Sequence, residues 1–217
     1  VRRDAPDIAK RFQELGLQTE LLQDADRSAM TAAVEKFRAT TSGQDLAVLY
    51  YAGHGVSWQK DTYLVPVDSD LGNPDSIRNL LSVGAITGAM QGAAHRLLVF
   101  DNCRNNPSGG WRQRVARDQA FFNAADLTAA SVHGANALVL FSTAPGRIAL
   151  DGPPGQNSPF AAALLRQLSG PAIDLAALPA KLRRDLLIAT AGQQVLWHES
   201  TYAGPFVLDG SRVPSDA

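Results

Sequence analysis

Apolar runs that alternate with amphipathic helices predict an α/β protein, with a mainly parallel sheet and helices on both of its faces. Three observations carry that expectation. The segments Asp45-Leu-Ala-Val-Leu-Tyr-Tyr51, Leu97–Phe100 and Ala137–Phe141 are short and almost wholly apolar, the pattern of strands buried on both sides. The stretches between them place apolar residues at helical spacing, bounded by capping residues and glycine. A chain of 217 residues, 45% of them hydrophobic, is long enough to close one full core.

Taken in order, Asp4 to Gly16 reads as a helix. Asp4 stands at its cap, Pro6 lies in its first turn, Ile8, Phe12 and Leu15 share one face, and Gly16 ends it. A strand is expected over Leu17–Leu22. A second helix starts at Asp26 or Ser28 and turns Met30, Ala33, Val34 and Phe37 inward. The strand ending at Tyr51 follows, then a loop from Val56 to Asp61 and two short extended pieces, Thr62–Val65 and Pro66–Asp68. Ser82 opens a helix that ends near Gly92, ahead of the Leu97–Phe100 strand. Past Pro107 comes a polar, basic stretch with Gly109, Gly110, Arg112, Arg114 and Arg117, which reads as an exposed loop. After the Ala137–Phe141 strand, Ser158-Pro159 begins a helix that runs through Leu168, and another spans Leu178 to Thr190. Gly204–Leu208 reads as an edge strand with Pro205 at its first position.

The formal net charge of −1 gives no sign of a nucleic-acid partner. No apolar run is long enough for a membrane span, no signal-peptide pattern stands at Val1, and no membrane partner is expected. The single cysteine rules out an internal disulfide framework and accords with a reducing compartment, the cytoplasm being the expected location.

That cysteine, Cys103, directly follows Phe100-Asp101-Asn102 at the end of a strand. In open α/β sheets the ligand crevice lies beyond the carboxyl ends of the strands. The strand ending at Tyr51 leads into Ala52-Gly53-His54-Gly55, so His54 also emerges past a carboxyl end. If the two strands are neighbours, a thiol and a base share one edge, the arrangement that generates a thiolate at neutral pH. Taken alone, Cys103 reads as a small buried hydrophobe and His54 as a polar strand-end residue; their joint placement favours a catalytic pair. No Gly-x-Gly-x-x-Gly or Gly-Lys-Ser/Thr loop follows a strand, which argues against a nucleotide or flavin binder. No Gly-x-Ser-x-Gly elbow marks a serine hydrolase. His95, His133 and His198 show no metal spacing, and no cofactor is expected.

Tyr51-Ala-Gly-His-Gly55 followed by Asp101-Asn-Cys-Arg104 resembles the caspase-like cysteine peptidases (clan CD, family C14), and within them the bacterial metacaspase or orthocaspase type. The family's histidine lies about 50 residues upstream of its cysteine, as here. Two positions depart from the animal caspases: Asp101 replaces Gln two before the cysteine, and Asn105 replaces Gly. The resemblance also takes in Ser142–Asp151, Asn157–Phe160, Gly192–Gln194 and Trp197. It implies a three-layer caspase-like fold over a single catalytic domain, residues 1–210. That domain has a large-subunit-like part over 1–106, a basic loop over 107–125 and a small-subunit-like part over 126–210, with a tail over 211–217. The family fold begins with a central strand before the first helix, and here that strand is apparently absent. A gap between central strands strands backbone groups, so a separate N-terminal fragment is expected to supply the missing strand.

The resemblance further implies a cysteine endopeptidase in which Cys103 is the nucleophile, His54 the general base, and the N–H groups of Gly55 and Cys103 the oxyanion hole. Asp101, with Asp151 and Ser142 from the later segment, would line the pocket for the residue before the cleaved bond. Two carboxylates around one cation suit a peptide or protein substrate with Arg or Lys there; the alternative for each aspartate is an ordinary turn residue. Arg104 is expected to tether the loop after the nucleophile. Arg112, Arg114 and Arg117 lie where the family is often cut and are possible self-cleavage positions, against a plain solvated loop. Only Asp118 stands between Arg104 and Ala125, too little for a calcium site, so calcium-independent activity is expected. The competing reading is a catalytically silent caspase-like scaffold that binds a signalling partner.

Overall fold

In a computed structural model the described residues are 3–58, 61–71, 78–102, 134–144, 147–170 and 172–209. They form α1 (Asp4–Glu14), α2 (Arg27–Thr41), β1 (Leu46–Gly53), β2 (Gly55–Trp58), β3 (Asp61–Leu64), β4 (Leu81–Ser82), α3 (Val83–Ala89), β5 (His95–Asn102), β6 (Ala137–Phe141), α4 (Pro159–Leu168), β7 (Ala172–Asp174), α5 (Leu178–Ala189), β8 (Trp197–Ser200) and β9 (Val207–Asp209). The central sheet has the order β1-β5-β6-β8. β1 and β6 run parallel to β5, and β8 closes the far edge antiparallel to β6. The outer edge of β1 carries no paired strand among the described residues.

Alternation along β5 and β6 sorts the core into two layers. Leu97, Val99, Leu138 and Leu140 face α1, α4 and α5, where they meet Ile8, Phe12, Phe160, Leu164, Leu182 and Leu186. Leu98, Phe100, Val139 and Phe141 face the other way, toward α2 and α3, against Val83, Ile86 and Met90. Leu97–Phe100 of β5 and all of β6 are fully buried between the two layers, and so these stretches are continuously apolar. This is the mainly parallel α/β architecture the apolar runs predict.

Local chemistry sets the helix ends. Asp26 Oδ1 accepts from Ala29 N at 2.8 Å, and Ser158 Oγ accepts from Ala161 N at 2.9 Å, each capping its helix. Gly16, at φ +79°, turns the chain out of α1, with Leu17 N donating to Phe12 O at 3.0 Å and Gly16 N to Gln13 O at 2.9 Å. Several expectations are corrected. Asp4 does not cap α1; Arg3 stands at the cap without a side-chain bond, and Asp4 is the buried first helical residue. Leu17–Leu22 is not a strand: Leu21 and Leu22 are exposed, and among the described residues no ladder partner pairs with it. Val56–Trp58 is not loop but pairs with β3 as a hairpin. The edge strand near the end is confined to Val207–Asp209 and pairs with β7 outside the central sheet. β7 and β8 were not expected as strands.

Candidate active site

The register of β1 on β5 fixes where the site lies. The two strands pair in parallel over their whole length, from Leu46 opposite His95 to Gly53 opposite Asn102. His54 follows β1 in the chain and Cys103 follows Asn102 in the sequence; the two strands themselves are neighbours, at the spacing of about 4.8 Å usual in a sheet. Cys103 lies outside the described residues, as do Arg104, Arg112, Arg114, Arg117, Asp118 and His133, the loop over 107–125 and the tail over 211–217.

His54 is exposed, but its backbone is held. Tyr51 Oη donates to His54 O at 2.8 Å, and Val65 N donates to the same oxygen at 3.1 Å. Tyr51 folds back to do this, and burial pushes its phenol up to about 12, partly opposed by its bond to Val65. The fold-back requires glycine at position 53, since a Cβ there would sit 2.7 Å from Tyr51 Oη and 2.9 Å from its Cζ. Gly55, buried, opens β2 and pairs with Leu64.

Asp101 ends β5 on the face toward α1 and α4 and is only 7% exposed. Its Oδ2 accepts from Ser158 Oγ at 2.5 Å. Ser158 N in turn donates to Oδ1 of Asp4, 1% exposed, at 2.9 Å. One serine at the start of α4 therefore joins a carboxylate from the end of β5 to a carboxylate from the start of α1. Burial pushes the Asp101 carboxyl up to about 6; the Ser158 and Ser142 hydroxyls pull it back and the nearby Asp4 charge raises it further. Ser142 Oγ and Tyr50 Oη, both buried beside Asp101, close no hydrogen bond of good geometry. Burial, then the Asp101 charge, raises the Tyr50 phenol as well. No basic side chain among the described residues forms an ion pair with Asp101. The buried Asp101 carboxylate, with the Ser142 and Tyr50 hydroxyls beside it, can accept from a cation with several donors.

The structure thus brings Ser142 to Asp101, while Asp151 is exposed on the same segment, just after Leu150. Asp4 and Ser158 joined the cluster unforeseen. Both read as helix-end residues, Ser158 also falling within the Asn157–Phe160 stretch of the resemblance, and the contacts that join them to the cluster span 154 and 57 residues, beyond any local signal. His95 is not a free surface residue: it stacks on Phe206, centroids 3.9 Å apart, and on Tyr202. His198 is exposed. Among the described residues, no group of three or more His, Cys, Asp or Glu is placed to hold a metal, and no helix is long and apolar enough to cross a membrane.

Comparison with known proteins agrees with this architecture. A family model described as the caspase domain matches residues 1–207. The structure superposes on caspase-1 from Spodoptera frugiperda with a TM-score of 0.63 and 16% identity, covering 100% of this chain and 83% of that one. No curated protein matches the sequence.

Proposed function

The chain belongs to the caspase-domain family of cysteine peptidases, and from that premise we propose that it is an endopeptidase cleaving after Arg or Lys. The observation that carries the specificity is the Asp101–Ser158–Asp4 cluster, buried at the edge where β1 and β5 end. An arginine or lysine side chain before the cleaved bond would neutralise the Asp101 carboxylate, which burial now penalises. Asp151, exposed on the segment that begins at Ser142, serves as an additional acid at the rim.

In this reading His54 takes the Cys103 proton, and the thiolate attacks the scissile carbonyl. The N–H groups of Gly55 and Cys103 stabilise the oxyanion. The imidazolium then protonates the leaving amine, and water, activated by the same imidazole, releases the acyl group. The exposure of His54 supports this role, because the imidazole is open to substrate and its backbone does not wander. We also propose that the activity needs no calcium, that Arg112, Arg114 and Arg117 are self-cleavage positions, and that an extended N-terminal fragment pairs with the outer edge of β1.

The deciding experiment uses fluorogenic peptides ending in Arg, Lys and Asp, with calcium or a chelator, beside Cys103→Ala. Cleavage after Arg or Lys, unaffected by the chelator and lost in the variant, is expected. Cleavage after Asp overturns the pocket assignment. Absence of cleavage after any of the three favours a silent scaffold.

A further inference from the structure

Gln194 is 1% exposed and lies after α5, outside the cluster described above. Its Nε2 donates to Ser142 O at 2.8 Å, and its Oε1 accepts from Leu150 N at 3.0 Å. One carboxamide therefore joins the start of the segment that follows β6 to its end, one residue before Asp151. The side chain is itself anchored. Gln194 N donates to Thr190 Oγ1 at 3.1 Å, and Thr190 Oγ1 donates to Leu186 O at 2.8 Å in the last turn of α5. Ser142 N donates to Phe100 O at 2.8 Å, tying the other side of the clamp to the residue before Asp101.

We infer that Gln194 is a positioning residue that holds Ser142 and Asp151 against the Asp101 pocket, so that the segment after β6 presents a fixed wall to the substrate's basic side chain. This deepens the proposed specificity and rests on that reading. The chemistry selects glutamine. A carboxamide supplies a donor and an acceptor from one planar group, and here the two partners are a carbonyl and an amide N–H. An ionised glutamate has no proton for Ser142 O, and methionine, of similar length, bonds neither partner. Without the clamp the Ser142 carbonyl, in a buried place, and the Leu150 N–H, in a half-buried one, both lose their partners, and the segment must move to find water.

The test compares the full chain with Gln194→Met and reads two quantities. Hydrogen exchange followed by mass spectrometry should show the amides over 142–151 exchanging about tenfold faster or more in the variant, those of α5 and β6 remaining as before. With the Arg-ended peptide, KM should rise about tenfold or more while kcat and the rate of Cys103 alkylation by iodoacetamide stay within about threefold. Unchanged exchange over 142–151 overturns the clamp. Faster exchange throughout the protein, or a rise in KM accompanied by a comparable fall in kcat and alkylation, overturns the positioning role in favour of a general structural one. If the wild type cleaves neither Arg nor Lys peptides yet exchange changes as described, the specificity reading fails and the clamp stands.

Discussion

Asp101 is ionised at neutral pH against the pull of its surroundings. Its carboxyl, at about 6 rather than 3.8, binds a proton more tightly in the folded than in the unfolded chain. The stabilising contribution is therefore complete below about pH 4 and is lost as the pH rises through about 6. Asp101→Asn, which removes the charge and keeps the shape, should raise the midpoint of unfolding above pH 6 by the equivalent of roughly 2–3 kcal/mol and change little below pH 4. Thermal melts across that range check it, and a destabilised variant at pH 8 would contradict the burial argument. The same substitution should lower kcat/KM for Arg-ended peptides by roughly 10²-fold, because it removes a buried partner of the substrate cation. The positions of His54 and Asp101 near strand ends were legible in the sequence, because the apolar runs that precede them mark β1 and β5. Asp4, Ser158 and Gln194 were not: what gives them their roles is tertiary contact, and along the chain they look like ordinary helix-end and loop residues.

Elements with strong local chemistry were the readable ones. α2 starts where expected because Asp26 caps it, α4 because Ser158 caps it with Pro159 in its first turn, and α5 because Pro179 lies in its first turn and its apolar spacing is helical. The middle of β5 and the whole of β6 were readable because burial on both faces leaves no polar interruption over Leu97–Phe100 and Ala137–Phe141. β8 was not, since Trp197-His-Glu-Ser200 is a half-exposed edge whose polar alternation resembles a loop until β6 lies beside it. Leu17–Leu22 failed in the opposite sense: a strand-like alternation forms no strand without a ladder partner. The end of β1 gives the sharpest test at this scale. Gly53→Ala would drive Tyr51 out from beneath His54, release the carbonyl it holds, and leave the strand ladder to β5 in place. We expect kcat to drop about tenfold or more with the melting temperature shifted by only a few degrees. Steady-state kinetics beside a calorimetric melt would show it, and an unchanged kcat would remove Tyr51 from the account of the site.

Over the whole molecule, the parts before and after residues 103–133 share one body. β5 pairs with β6, Arg11 of α1 donates through Nε at 2.9 Å to Leu168 O at the end of α4, and both core layers draw side chains from each part. A cut among Arg112, Arg114 and Arg117 should therefore leave a complex that native mass spectrometry weighs as one species and a denaturing gel separates into two. Pieces that part on dilution would show that the shared core is too weak to hold them. The same spectrum would reveal a bound N-terminal strand as added mass. A last consequence follows from the serine that α4 lends to both acids. Its hydroxyl caps a helix and holds Asp101, while its amide holds Asp4, so the pocket's charge and the seating of α1 and α4 form one mechanical unit. Under the proposed specificity, reversing one charge would not by itself make the protein accept acidic residues. An arginine at position 101 would leave Ser158 Oγ without its acceptor at the start of α4 and Asp4 in place beside it, so a change of preference would call for matched substitutions at three positions far apart in the sequence.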